Sequence, residues 1–307
     1  MNYKKYIDAE LKPIAINVPY SKTIIGFANI YQTVSLKFTS VPKEVAAKNI
    51  TIEGHKRLKF KTEIFEPSDT EGKSLPCLIY LHGGAFSYKA SSYHKVLACL
   101  YAVKAKCRVY FPDYHLLPKY PYPAAYNDVL SLYRFIAGNS DERIGVAGDS
   151  AGAALAALIC NNYERETLKP PCLQMLVYPA TDVSMRTDSM KRFSDTPLWN
   201  SKNNRLMWSY YCRDLKGDDI YAVSPMHSKL PEAIPYTYIE TAEYDCLHDE
   251  DILYGEKLRK AGANVEVNET KKTIHGYDSA LNSKIAAENI EKRILFLQKG
   301  FGSCLSG

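Results

Sequence analysis

One run of the chain leaves little choice of architecture: Arg143-Ile144-Gly145-Val146-Ala147-Gly148-Asp149-Ser150-Ala151-Gly152-Ala153-Ala154-Leu155-Ala156. A short apolar segment leads in and an Ala-rich, Pro-free segment leads out, so the pattern Gly-x-Ser-x-Gly lies where a strand turns sharply into a helix. Gly148 and Gly152 lack the Cβ atoms that would collide at such a turn. Ser150 would occupy its tip, with the following backbone N–H facing any oxyanion that develops beside it. Alone, the pattern is weak. Its weight depends on whether the rest of the chain alternates strand with helix and gives the serine partners.

It does alternate. Residues 49–55 and 58–65 carry period-two apolar patterns around Gly54 and predict two half-exposed strands at a sheet edge, with outward lysines that discourage edge pairing. Leu75-Pro76-Cys77-Leu78-Ile79-Tyr80-Leu81 is almost continuously apolar, as a parallel strand covered on both faces must be. Helix (93–105), strand (108–112), helix (124–137), strand (143–147), helix (151–165) and strand (173–178) follow. From 181 to about 226 a polar, helix-leaning stretch intervenes; then come strand 237–242, helix 249–261, strand 264–269 and helix 279–299. The order implies a mostly parallel sheet with right-handed crossovers, interrupted by an insertion over the carboxyl ends of the strands. The expected organisation is a helical segment over 1–48, an α/β domain over 49–300 with the insertion at about 181–226, and a frayed tail over 301–307.

Composition narrows the function classes. The chain has 307 residues, 46% of them hydrophobic, enough for a large core. Thirty-nine Lys and Arg against 34 Asp and Glu leave a formal charge of +5, small and scattered, which suggests neither a nucleic-acid nor an anionic-membrane partner. Eight cysteines without a Cys-x-x-Cys pair read as buried free thiols in a reducing compartment. With no signal-like N-terminus and no bilayer-length apolar run, a cytoplasmic location is the expectation.

A serine hydroxyl is a poor nucleophile at neutral pH. It needs a histidine to take its proton and a carboxylate to orient that histidine. On an elbow fold the chain order is Ser, acid, His, each at a carboxyl-end loop. Asp245 lies just past the strand ending at Ala242, and His275 follows the last strand and precedes Gly276. Asp249 is the main rival acid, better suited to the first turn of a helix. His82-Gly83-Gly84 ends an earlier strand, and its glycines leave backbone N–H groups of Gly83 and Gly84 open to join Ala151 as donors to an oxyanion. His82 is expected to brace that loop, His227 to be structural or at a pocket rim, and His248 to be a helix-end histidine without a metal. Trp199, Trp208, Tyr210 and Tyr211 would line a pocket or hold the insertion down.

These motifs together resemble the hormone-sensitive-lipase-like esterases of the α/β-hydrolase fold, which include many bacterial acetyl esterases and carboxylesterases. The resemblance spans most of 50–299 and adds Asp113-Tyr114-His115-Leu116-Leu117-Pro118, Tyr122-Pro123-Ala124-Ala125 with Asp128, Tyr178-Pro179 with Asp182, Ser224-Pro225, and Asp245-Cys246-Leu247-His248-Asp249-Glu250. It implies Ser150 as nucleophile, Asp245 as orienting acid, His275 as base, Gly83, Gly84 and Ala151 as oxyanion donors, and a cap built from 1–48 plus the insertion. The chain departs from the family at Ala85, Ala153 and Cys246, where a third loop glycine, a glycine and a proline are usual, and at His115 and Lys119, where an arginine and a glutamate are.

The resemblance implies hydrolysis of short-chain, acetyl-like esters through an acyl-enzyme, with no metal or organic cofactor. The expected partner is a small-molecule ester; nucleic acid and membrane are not expected, and a homodimer is left open. A non-catalytic receptor on the same fold and an amidase or peptidase with the same triad are the alternative readings, the first disfavoured by retention of all three triad residues.

Overall fold

A computed structural model describes residues 2–70 and 74–302. Among the described residues, eight strands form one sheet in the order β1-β2-β4-β3-β5-β6-β7-β8, namely β1 (Val45–Glu53), β2 (Lys59–Pro67), β3 (Cys77–Leu81), β4 (Arg108–Pro112), β5 (Ile144–Asp149), β6 (Leu173–Val177), β7 (Tyr236–Tyr244) and β8 (Val265–Ile274). The β1–β2 and β2–β4 pairings are antiparallel and all others parallel. Every residue of β3, β5 and β6 is buried, so their continuous apolar character reflects cover on both faces. β1 is mostly exposed, as an edge strand is.

Helices α2 (Ser92–Lys104), α3 (Ala124–Asn139), α4 (Ala151–Asn162), α7 (His248–Lys260) and α8 (Lys284–Gly300) pack on the sheet. Tyr254 of α7 donates to Asn161 of α4 at 3.0 Å, and Gln298 of α8 donates to the Lys104 carbonyl of α2 at 2.8 Å, joining the helices within their layers. Helix α4 owes its depth to size. Ala151, Ala153, Ala154, Ala156 and Ala157 are fully buried, and such small side chains let its backbone settle onto β5 and β3.

Two stretches stand outside this frame. Residues 3–20, in 3-10 turns and extended chain, lead to α1 (Lys22–Phe38), capped by the Ser21 hydroxyl, which accepts from the Ile24 N–H. Between β6 and β7 the chain leaves the sheet and forms α5 (Asp188–Arg192), α6 (Ser201–Tyr211) and a 3-10 segment, Gly217–Val223. The two stretches meet: the Leu198 N–H donates to the Ile16 carbonyl at 2.8 Å, and the Asn203 amide donates to the Val18 carbonyl at 2.9 Å while accepting from the Tyr20 N–H at 3.3 Å.

The helical segment expected over 1–48 is an α-helix only over Lys22–Phe38, and the other differences from the sequence reading lie at element ends. β1 begins at Val45, within the stretch assigned to the leading helical segment, because Val45 is buried and pairs with Pro67. β8 runs on to Ile274, so His275 follows the strand directly. Helix α8 starts at Lys284, capped by the Ser283 hydroxyl; residues 277–279 form a separate 3-10 turn. Phe301, assigned to the tail, is buried against the core and its carbonyl accepts from Arg143. The rest of that tail, 303–307, lies outside the described residues.

Candidate active site

Ser150 caps α4 with φ 53° and ψ −118°, a conformation that costs a non-glycine residue free energy and persists only where its surroundings enforce it. Here they do. The Ser150 N–H donates to the Val177 carbonyl at 2.8 Å, and its own carbonyl accepts from Ala154 at 3.0 Å. A Cβ on Gly152 would lie 2.1 Å from the Leu81 carbonyl oxygen, and one on Gly148 would lie 2.5 Å from the Gly152 carbonyl carbon, so the strand and helix can meet only through glycine.

His275 brings its Nε2 to 2.9 Å from Ser150 Oγ, and its Nδ1 lies 2.6 Å from Asp245 Oδ2. Asp245 is fully buried at the end of β7, where its other oxygen accepts from the Leu247 N–H at 3.0 Å. The imidazole is thus held with Nδ1–H toward the carboxylate and Nε2 free to accept the serine proton. Asp249 is spent elsewhere, accepting from the Ser189 N–H at 2.7 Å and meeting His248 at 2.8 Å.

The loop after β3 departs from the sequence reading at Gly83. Its N–H, expected to be an oxyanion donor, donates instead to Asp149 Oδ2 at 3.0 Å, because that buried carboxylate needs donors. No described residue accepts from the N–H groups of Gly84, Ala85 or Ala151, and Gly84 and Ala85 line the same cavity as Ser150. Ala85 stands at φ 53°, so the alanine keeps a left-handed turn at a cost of about 1–2 kcal/mol.

Asp149 is the hub under this loop. Besides Gly83 it accepts from Tyr80 at 3.2 Å and meets His94 Nε2 at 3.1 Å, while His94 Nδ1 accepts from the Ser91 N–H at 2.9 Å. The Ser91 bond places the His94 proton on Nε2, pointing at the carboxylate. Burial opposes the charge, but His94, His82 and the Gly83 N–H outweigh it and hold the Asp149 carboxyl below its ordinary value. His82 is stacked on Tyr114 at 4.5 Å and bonds the Gly83 carbonyl through Nδ1 at 2.6 Å. Burial, and then the neighbouring His94, push its pKa down to about 4, so it is neutral at pH 7.

A cavity of about 230 Å³ opens beside Ser150, walled by Val18, Tyr88, Tyr93, Tyr178, Leu198 and Trp199. Tyr178 packs on His275 at 4.4 Å between ring centres, and its hydroxyl donates to Asp278 at 2.6 Å. Asp278 in turn holds Arg293 of α8 at 2.7 Å, and the same guanidinium grips Glu240 of β7 with bonds of 3.1 and 2.5 Å. All of these groups are buried. Burial works against the Glu240 charge and Arg293 overcomes it, keeping the carboxyl below its ordinary value.

The remaining singled-out residues are placed as follows. His115 takes over an anchoring contact, its Nδ1 2.7 Å from Asp128 Oδ2, with the His115 and His55 N–H groups both donating to that carboxylate at 2.8 Å. His227 bonds Asp182 at 2.9 Å, and His248 bridges Asp249 and Glu269. Tyr211 stacks on Phe86 at 3.8 Å, and Trp208 packs beside both, so this part of the aromatic cluster holds α6 to the loop; Trp199 reaches the cavity. Gly83 aside, the sequence reading missed the roles of Asp149 and His94, and it named Tyr178 and Ala85 without giving either a contact at the site. Asp149 was in view as the residue between glycine and serine, but its role depends on a partner 66 residues away in the chain.

A serine on a strained elbow, bonded to a histidine that is bonded to a buried carboxylate, at the carboxyl ends of a mostly parallel sheet, is the arrangement of an α/β hydrolase. The chain belongs to the α/β-hydrolase fold family whose model matches residues 78–279. It is 32% identical to the esterase LipI of Mycobacterium tuberculosis over 69% of this chain and 68% of that protein. To a Pseudomonas putida protein named ethyl acetate hydrolase it is 28% identical, over 66% of this chain and 65% of the other. Among solved structures, a bacterial heroin esterase superposes with a TM-score of 0.88 at 25% identity, covering 97% of this chain and 98% of that one. The protein is accordingly a carboxylic ester hydrolase of the hormone-sensitive-lipase-like group.

Proposed function

We propose that the protein hydrolyses short-chain, acetyl-like esters through a Ser150–His275–Asp245 triad. Ser150 Oγ attacks the ester carbonyl as His275 Nε2 takes its proton, and Asp245 stabilises the imidazolium. The carbonyl oxygen becomes an oxyanion, received by the N–H groups of Gly84, Ala85 and Ala151; Gly83 acts one step back, by fixing the loop to Asp149. Collapse of the tetrahedral intermediate expels the alcohol, which leaves with the proton from His275. Water, deprotonated by His275, then attacks the acyl-enzyme, and a second collapse frees the acid and Ser150.

The observation that carries this reading is the unbroken chain of short bonds from Ser150 through His275 to Asp245, opening into a cavity of only about 230 Å³. Cavities that hold drug-sized ligands run from ~300 Å³ upward, so small acyl and alcohol groups fit best. The name of the Pseudomonas putida relative agrees with that size. Residues 3–38 and the stretch between β6 and β7 act together as a cap, since Val18 comes from one and Leu198 and Trp199 from the other.

A panel of p-nitrophenyl esters of rising acyl length, with Ser150→Ala as control, tests this. Hydrolysis should be fastest for acetate to butyrate and fall with Ser150→Ala by about 10⁴-fold or more. Faster turnover of long-chain esters would refute the short-chain assignment. Hydrolysis that survives Ser150→Ala would refute the triad.

A further inference from the structure

Helix α1 is turned the unusual way round. Its polar side chains hold it to the body: Asn29 donates to the Ser87 carbonyl at 2.9 Å and accepts from the Lys89 N–H at 2.8 Å, and Gln32 donates to the Ser91 hydroxyl at 3.0 Å. Ile25 is buried and Leu36 packs against the core, but most of its other large apolar side chains face outward. Phe27, Ile30, Tyr31, Val34 and Phe38 are exposed by 71, 66, 72, 49 and 84%. They recur at i, i+3, i+4, i+7 and i+11, so they form one ridge along the helix.

We propose that this ridge docks the protein on an anionic lipid surface, with α1 lying in the plane of the interface. Residues 11–43 carry Lys12, Lys22, Lys37 and Lys43 and no Asp or Glu. Lys22 and Lys37 are exposed at the two ends of α1. Aromatic and aliphatic side chains on one helix face, flanked by lysines and free of carboxylates, match the chemistry of an interface with acidic headgroups. The helix has 17 residues, and no described helix is long and apolar enough to cross a bilayer, so it would rest on the surface without spanning it.

A second copy of the chain suits the ridge less well. Two such ridges in contact would bring lysines of both copies together with no acid on either helix to meet them. Five side chains on one helix offer on the order of 500 Å², within the patch size that marks interaction sites but short of the about 800 Å² per partner of a standard stable interface. The position also has consequences. Through Asn29 the ridge is tied to the segment just after the Gly83–Phe86 loop, and Tyr88 of that segment lines the catalytic cavity.

Sedimentation of the full chain with phosphatidylcholine vesicles, with and without phosphatidylglycerol, tests the proposal beside size-exclusion chromatography. Binding should require phosphatidylglycerol, weaken as salt rises, and fall by about tenfold or more in Phe27→Glu/Phe38→Glu. Both positions are open to solvent, and an unchanged thermal melt shows that the variant is folded. Absence of binding by the parent chain overturns the proposal, as does binding that the double variant retains. A dimer of the parent chain that the double variant abolishes also overturns it and gives the ridge to a second copy.

Discussion

Asp149 makes the sharpest test of how the oxyanion loop is held. Its carboxylate receives Gly83, Tyr80 and His94, and all of these groups are buried. Asp149→Ala removes every acceptor at once and leaves three buried donors orphaned, each costing about 1–3 kcal/mol before relaxation. The loop then has reason to move, and a misplaced oxyanion donor costs about 10²–10³ in kcat. Asp149→Asn is different in kind. Its carbonyl oxygen can take the place of Oδ2, accepting from Gly83 and His94, while its amide faces Tyr80, whose hydroxyl accepts as readily as it donates. The asparagine also removes a fixed negative charge from beside a site where negative charge develops. Steady-state hydrolysis of p-nitrophenyl acetate and a thermal melt should therefore show Asp149→Ala losing about 10²–10³ in kcat with a lowered Tm, and Asp149→Asn staying within about tenfold of the parent. If Asp149→Asn, folded and melting like the parent, is as slow as Asp149→Ala, acceptor geometry is not what the aspartate contributes and the reasoning fails.

Three further outcomes follow from the geometry. Arg293→Met leaves Glu240 and Asp278 buried without their cation and should cost about 3–5 kcal/mol in urea unfolding; a change below about 1 kcal/mol would show that the network contributes little. Asp251 is fully buried and neither of its oxygens has a hydrogen-bond partner among the described residues; burial, then Glu250 and Asp245, raises its pKa well above the ordinary carboxyl value. A raised folded pKa means stability that is complete below the unfolded value near 3.8 and lost as pH rises through the folded one. Asp251→Asn should thus raise Tm at pH 8 and leave it unchanged near pH 4, and an equal shift at both would refute the titration. Trp199→Ala, which removes an indole from the cavity wall, should shift preference toward longer acyl chains, read as the hexanoate to acetate ratio of kcat/KM; an unchanged ratio would place the acyl group elsewhere.

The sheet and the elbow were legible because their signals are local. β3 announces itself by unbroken apolarity and α4 by alanines after Gly152, and neither needs a distant partner to be recognised. Asp245 and His275 were legible through chain order, which the topology imposes. The Gly83 assignment went astray for a physical reason: two glycines in a row advertise open N–H groups but not which of them a neighbouring carboxylate will take. The contact between His115 and Asp128 shows the converse, a departure from the family's usual residue that still finds a buried carboxylate partner. The whole-chain charge hid the local one, since the lysines of residues 11–43 are offset by acids elsewhere. A helical segment is expected within 1–48, but that expectation does not say which face of a helix points inward.

The leading segment carries a consequence for the order of assembly. Tyr3 donates to Asp195, the Asp8 N–H to the Lys272 carbonyl, and the Glu10 carboxylate accepts from the Lys284 N–H. Residues of the leading segment therefore close contacts with partners as far as 192 and 274 residues further along the chain, and such distant closures come late in folding. Val18, which walls the cavity, belongs to that same segment. A folding chain would hold its nucleophile on a formed elbow well before it had a complete site, so acquisition of activity should lag behind formation of the sheet and mark the end of folding.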